Sequence, residues 1–308
     1  MTAKMNRRTE IIQSLVEQYI SHLSGLTGNG QRTYGFEYEF LPRHPFSPDD
    51  MNMVAGLLPD IGFSPDGDEF KSENGLRVNF EPGGQIEYNS PPLLAGEDKR
   101  FHSLLAAIDH TNSTIHRRLG IEYLGTGYLP GRADAPLCLS SDRYIKLHER
   151  LVKMDTRGLE MMKGTASIHL HVVISNFDEL LPLFNVLCQL AISDEFKMSP
   201  QRRDIWDHTD RMRCGIPPCC FAKLEASEAL IERLIQYSVD TEVLGENVSF
   251  DRSTDQSFKA FLYHMTTLFT DVRFNLKGPT LELRTLDSMP TDQFARKWKR
   301  FVDLLEKT

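Results

Sequence analysis

Residues 80–92 read FEPGGQIEYNSPP, with two glutamates and a glutamine around a Pro-Gly-Gly turn and no basic residue among them. Side chains alternate across an extended chain, so Gln85, Glu87 and Asn89 share one face while Ile86 and Tyr88 take the other. Pro82, Gly83 and Gly84 have the backbone preferences of a turn, so LRVNFEP and QIEYNS read as two strands joined there.

The same alternation returns three times. RTYGFEYEF places Glu37 and Glu39 opposite Phe36, Tyr38 and Phe40; GTASIHLHVVIS places His169 and His171 opposite Ile168, Leu170 and Val172; TLELRTL places Glu282 and Arg284 opposite Leu281 and Leu283. Four such strands predict a sheet with one greasy face under helices and one face crowded with carboxylates, imidazoles and a guanidinium. Helical segments fall near residues 97–119, 140–154, 178–196, 224–237 and 255–269, and a last helix starts with Thr291 as N-cap and Asp292 in its first turn. IEYLGTG reads as a strand, and VRFNL and TLELRTL as a hairpin around Lys277-Gly278-Pro279. Short turns between strands favour an antiparallel or mixed sheet, and so the α+β class.

Ile11, Ile12, Leu15, Val16, Tyr19 and Ile20 form the stripe of an N-terminal amphipathic helix, with Glu and Gln mixed in where a signal peptide would be apolar. No repeat or linker breaks the chain, so one catalytic domain is expected over residues 1–308, with an N-terminal helix in 1–30 and a C-terminal helix in 291–308. At 308 residues, 40% hydrophobic and 25% charged, the composition is that of an ordinary globular protein. The net charge of -8 argues against a broad nucleic-acid surface, and no apolar run is long enough to span a bilayer. A cytoplasmic location follows as the expectation, without nucleic-acid or membrane partners. Five cysteines do not suggest a disulfide framework, and Cys214, Cys219 and Cys220 lack the second pair of a zinc site, so reduced thiols are expected.

A solvated sheet face would explain any one polar pair, but such a face mixes Lys, Thr and Ser among its acids. Here glutamates outnumber bases. Like charges on neighbouring strands repel, and divalent cations offset the repulsion, with oxygen ligands suiting Mg2+. Mg2+ beside arginine suits phosphoryl transfer from a nucleotide. There is no GxxxxGK[ST] loop to hold that nucleotide in the P-loop manner, and GTGYLPG reads as a strand-to-loop exit rather than a dinucleotide fingerprint.

GFEYEF, EPGGQIEYNS, GTGYLP, GLEMMKGTASIHLHV, RRDIWDHTDRMR and LELRTLD, in this order and approximate spacing, resemble the plant and proteobacterial type of glutamate-cysteine ligase. That type belongs to the glutamine synthetase-like superfamily of carboxylate-amine ligases, and the resemblance spans about residues 35–290. It implies a curved, mostly antiparallel sheet whose polar face holds two or three Mg2+ ions with ATP as co-substrate. The side-chain carboxylate of glutamate would attack ATP to give an acyl phosphate, which the amine of cysteine displaces. By this resemblance Glu37, Glu39, Glu81, Glu87 and Glu282 are metal ligands, Arg284 with Glu282 is catalytic and Arg284 meets the nucleotide; the H-x-H pair is similar to that of glutamine synthetase and other carboxylate-amine ligases, which implies His169 as a metal ligand and His171 at the nucleotide. Arg202, Arg213, Trp206 and Gln85 would bind substrate, the arginines taking the α-carboxylate of glutamate.

Three positions depart from the family pattern: Gly164 stands for an arginine, His169 for a glutamine and His171 for an asparagine. Loss of the arginine leaves the acceptor open between cysteine and another amine. The region after Pro218 is short, and one helix follows Pro290, so an acyl phosphate more open to water is expected. A catalytically silent nucleotide- or amino-acid-binding relative is the remaining reading, against which the retained acids speak. Oligomeric state is not legible.

Overall fold

A computed structural model describes residues 2–27, 30–154, 156–275 and 278–308; in these the period-two segments form strands and the longer amphipathic segments form helices. The elements are α1 (Thr2–Leu26), β1 (Thr33–Pro42), α2 (Pro48–Leu57), β2 (Phe63–Asp66), β3 (Glu69–Ser72), β4 (Arg77–Phe80), β5 (Ile86–Asn89), β6 (Leu93–Leu94), α3 (Asp98–Leu119), β7 (Tyr123–Leu124) and α4 (Asp142–Met154). They continue as α5 (Gly158–Gly164), β8 (Ser167–Val173), α6 (Leu180–Ile192), α7 (Pro200–Asp207), β9 (Cys214–Gly215), α8 (Ser227–Asp240), α9 (Phe258–Met265), β10 (Phe269–Thr270), β11 (Val272–Asn275), β12 (Thr280–Asp287) and α10 (Thr291–Leu305).

One sheet runs in the order β11-β12-β8-β1-β5-β4-β3-β2, with β6 and β7 each pairing β1. All its pairings are antiparallel, which bears out the α+β reading. A separate short parallel pair joins β9 and β10. Phe36, Tyr38, Phe40, Ile86, Tyr88, Ile168, Leu170, Val172, Leu281 and Leu283 are all buried in the main core. Phe101 of α3, Phe184 of α6 and Phe294 and Trp298 of α10 belong to the same core, with Phe101 stacked on Trp298 at 4.8 Å. A smaller cluster of Leu147, Leu151, Met161, Met162, Ile205 and Trp206, from α4, α5 and α7, stands over the opposite face. The site lies between these layers.

Several local expectations change. The IEYLGTG strand shortens to Tyr123–Leu124, because beyond it the chain presses against the end of β12: a Cβ on Gly125 would lie 2.4 Å from the Met289 carbonyl oxygen, and one on Gly127 2.3 Å from Asp287. Thr291 is the first helical residue rather than the cap, and its hydroxyl donates to Asp109 at 2.9 Å. The segment 255–269 is helical only over Phe258–Met265, after which β10 begins. The hairpin of β11 and β12 forms, while its turn residue Lys277 lies outside the described residues. Cys188 and Cys220 form a disulfide, which corrects the expectation of reduced thiols; Cys138, Cys214 and Cys219 are free.

The Pro-Gly-Gly turn requires its glycines. Gly84 has φ +81°, and a Cβ there would come within 2.4 Å of the Phe46 ring. A left-handed backbone and a steric clash act together at this position. Gly84→Ala is expected to lower unfolding stability by roughly 2–4 kcal/mol, read by urea denaturation. An unchanged midpoint would mean that the turn has room to relax.

Candidate active site

The antiparallel register decides which polar residues meet. Glu37 lies directly opposite His169, and Glu282 opposite both His171 and Arg273. Glu39 lies opposite Glu87, which in turn faces Asn79. The even-spaced residues of six adjacent strands thus share one face. All of these but His171 border a cavity of about 290 Å3 whose far side is made by Arg143 and Tyr144 of α4, Met161 and Met162 of α5, and Trp206 of α7.

Glu37 is the centre of the charged wall. His169 Nδ1 is 2.6 Å from Glu37 Oε2, and His171 Nε2 is 3.4 Å from Oε1. Burial alone would raise the Glu37 pKa, yet the two imidazoles hold it well below the usual carboxylate range. Burial lowers His169, helped by Arg284, whereas at His171 the pull of Glu37 and Glu282 exceeds the burial penalty and raises it. Glu282 is fully buried; its depressed pKa, against burial, comes from Arg273 and Arg284, which approach to 2.9 and 2.7 Å.

Arg284, two residues from Glu282 on the same face, lies where the β8–β12 register breaks between Leu283 and Leu286. Its backbone N–H donates to the Asp271 carbonyl, while its guanidinium reaches Glu282 and lies 3.3 Å from His169.

The Glu81 and Glu87 side of the wall is less compensated. Burial and the neighbouring carboxylates raise Glu87 well above its ordinary value; burial, then Glu39, push Glu81 up to about 7. Asn89 donates to Glu87 at 3.0 Å, and Tyr144 reaches Glu81 at 3.4 Å. Glu39 accepts from the Ser167 backbone N–H and hydroxyl at 2.7 and 3.1 Å.

Among the described residues two groups have donor atoms within 4.8 Å of one another: Glu37, His171 and Glu282, and Glu37, Glu87 and His169. They share Glu37. Carboxylate oxygens with imidazole nitrogen suit a divalent cation such as Mg2+ or Mn2+, and the buried His171 Nε2 makes no well-formed hydrogen bond, with Glu37 Oε1 at 3.4 Å beside it. Glu39 and Glu81 belong to neither group.

Other expected residues are brought elsewhere. Arg202 is 0% exposed, donating to Asp287 at 2.8 Å and to the carbonyl of Arg284 at 2.7 Å, with its guanidinium carbon 5.1 Å from the Trp206 ring centre. Arg213 is also 0% exposed and is held by Thr267, Asp210 and the Glu242 carbonyl. Both arginines brace the fold and neither lines the cavity; of the three residues expected from RRDIWDHTDRMR, only Trp206 does. Gln85 borders the cavity, but its amide accepts from Gly83 and donates to the carbonyls of Met162 and Thr165, so it fixes the turn onto α5. His171 stands behind Glu37 and Glu282 rather than on the cavity wall.

Sequence reasoning missed Arg143 and Arg273. Arg273 was readable from its place on the predicted VRFNL strand at the parity that faces Glu282. Arg143 lies in a helix whose docking over the sheet no local pattern announces. It donates to the Thr266 carbonyl at 2.9 Å, and its buried Nε has no partner. The position of Gly164 is closed, since a Cβ there would lie 3.0 Å from the Leu129 carbonyl oxygen and 3.2 Å from Arg132.

A sheet face with carboxylates, imidazoles and guanidinium groups around one cavity can hold cations and anions together. The family model for glutamate-cysteine ligase family 2 matches residues 33–191 and 198–305, and the chain belongs to that family of ligases. No curated protein matches the chain. No helix of the described residues is long and apolar enough to cross a membrane.

The raised Glu81 carboxyl binds its proton more tightly in the folded than in the unfolded chain. Its contribution to stability is therefore present at low pH and lost as pH rises from the ordinary 4.5 through about 7. In metal-free buffer Glu81→Gln is expected to raise the melting temperature more at about pH 8 than at about pH 5, by a few degrees. Excess Mg2+ should narrow the difference; a gain independent of pH would refute the charge-based account.

Proposed function

We propose that this protein is an ATP-dependent carboxylate-amine ligase that activates the side-chain carboxylate of glutamate as an acyl phosphate and transfers it to an amine. The observation that carries this reading is the sharing of Glu37 between two acid-imidazole groups, with Arg284 held beside them on Glu282. Glu37, Glu87, Glu282, His169 and His171 would hold divalent cations, which when bound neutralise phosphate charge as the glutamate carboxylate approaches.

The chain's own residues do the rest. Arg284 lies against phosphate, oriented by Glu282, and its buried Nε retains a free donor. Arg143, in place of the buried Arg202 and Arg213, takes the α-carboxylate of glutamate through its unpartnered Nε. Glu39 fixes the start of β8 through Ser167, so His169 is held against Glu37. Met161, Met162 and Trp206 exclude water from the far side of the cavity and protect the acyl phosphate. The described residues form one catalytic unit in this reading.

Cysteine is the default acceptor of the family. A second reading, an amine other than cysteine, is favoured by the closed position of Gly164, where the ligases it resembles have an arginine.

ADP release with Mg2+, ATP and glutamate, measured as the amine is varied, tests the ligase reading; no release with any acceptor would leave a silent binding relative. Glu37→Gln and Glu87→Gln are each expected to lower turnover by at least about a hundredfold while circular dichroism stays native. Arg143→Gln should raise KM for glutamate roughly tenfold with little change in melting temperature. By contrast, Arg202→Ala should cost about 3–5 kcal/mol of stability, because it removes the ion-pair partner of Asp287 and the donor to the buried Arg284 carbonyl. If Arg202→Ala raises KM for glutamate in a protein of unchanged stability, the roles given to these two arginines are reversed.

A further inference from the structure

The cavity has two unlike walls. Opposite the charged face stand Tyr144, Leu147, Met161, Met162, Trp206 and Phe269, which pack as one apolar surface. Trp206 is fixed in orientation, its indole N–H donating to the Phe269 carbonyl at 3.2 Å and one ring face lying against the buried Arg202. Aromatic, thioether and leucine side chains suit an apolar body and offer nothing to a carboxylate.

The guanidinium groups on the cavity are those of Arg143, Arg273 and Arg284. Arg273 is engaged by Glu282 through Nε and Nη2 and by the Leu268 carbonyl through Nη1. Arg284 is held on Glu282 beside His169. Arg143 alone stands between the charged face and the apolar wall, adjoining Tyr144 and close enough to lower the pKa of Glu81. With Arg143 on the α-carboxylate of glutamate, Arg284 and the divalent cations on phosphate, and Nε, Nη1 and Nη2 of Arg273 all partnered, no guanidinium among the described cavity residues remains for a second amino-acid carboxylate. Placing that charge against the apolar wall unpaired would be prohibitive.

We infer that the acceptor is a primary amine with a compact apolar or aromatic body and no carboxylate, bound with its body against Leu147, Met161, Met162 and Trp206 and its nitrogen toward Glu81. This rests on the ligase reading above and names the acceptor class for the same site. The free amine forms after its ammonium gives one proton to solvent. Its lone pair then makes the C–N bond to the acyl carbon, the C–O bond to phosphate breaks, and phosphate leaves with that electron pair and takes up the second proton, giving an amide and hydrogen phosphate.

The full chain, with Mg2+, ATP and L-glutamate, is offered benzylamine, isobutylamine, L-phenylalanine and L-cysteine in turn, and ADP and the amide product are measured. Benzylamine or isobutylamine is expected to exceed both amino acids in kcat/KM by at least about a hundredfold. Preference for L-cysteine or L-phenylalanine, or no use of either simple amine, overturns the inference. Hydroxylamine separates this from failure of the ligase reading, since trapped γ-glutamyl hydroxamate reports the acyl phosphate whatever the acceptor. Without hydroxamate both readings fall; with it, only the acceptor is at issue.

Trp206→Ala should raise KM for benzylamine about tenfold and leave KM for ATP within about twofold. Met161→Thr, which leaves the Arg202 contact intact, is expected to act in the same direction and serves if the tryptophan variant does not fold. A rise in KM for ATP with KM for benzylamine unchanged would assign the wall to the adenine ring and reject the acceptor site.

Discussion

Glu39 and Glu87 face each other directly across β1 and β5, and this like-charge pair is the constraint on which the site depends. Opposite charges would stabilise such a cross-strand position; like charges oppose it. Toward β8 and β12 the repulsion is answered from within the chain, by the two β8 imidazoles against Glu37 and by guanidiniums on Glu282. Around Glu81 and Glu87 it is answered mainly by keeping protons, which is why burial and mutual repulsion raise both. The polar face is thus graded from a paired end at β11 and β12 to an acidic end at β5 and β4.

A face of this kind lowers stability, so the other face must offset it. Phe36, Tyr38 and Phe40 alternate with the glutamates of β1 and pack against Phe294 and one another. Each buried aromatic contributes about 1.5–3 kcal/mol by burial alone. One strand therefore carries the electrostatic burden and its remedy on alternate residues. A one-residue slip in register would exchange them, which makes the register of β1 strongly specified.

Much of this was legible because a period of two reports both faces at once. The four paired motifs, the antiparallel arrangement and the acids of the site could be read from alternation and turn residues. What failed depended on contacts distant in sequence. Arg202 and Arg213 stand in a segment rich in charge, and only the tertiary structure shows their partners to be Asp287 and Asp210, with carbonyl groups from β12 and from the segments that flank α8 and α9. The Cys188–Cys220 bridge spans 32 residues, and spacing gives no means to choose among five cysteines. The short strands β2 and β3 carry few apolar residues, and α5 is a seven-residue helix, so neither leaves a strong periodic signal.

Arg202 joins the two walls of the cavity. It reaches from α7, which carries Trp206, to the Arg284 carbonyl and Asp287 of β12, while Arg150 of α4 grips Asp210 just beyond α7. The apolar wall and Arg284 are consequently braced against each other through Arg202. For the acceptor amine proposed above such a cavity would act as a ruler, setting the place of the reactive nitrogen by the length of the body seated against Trp206.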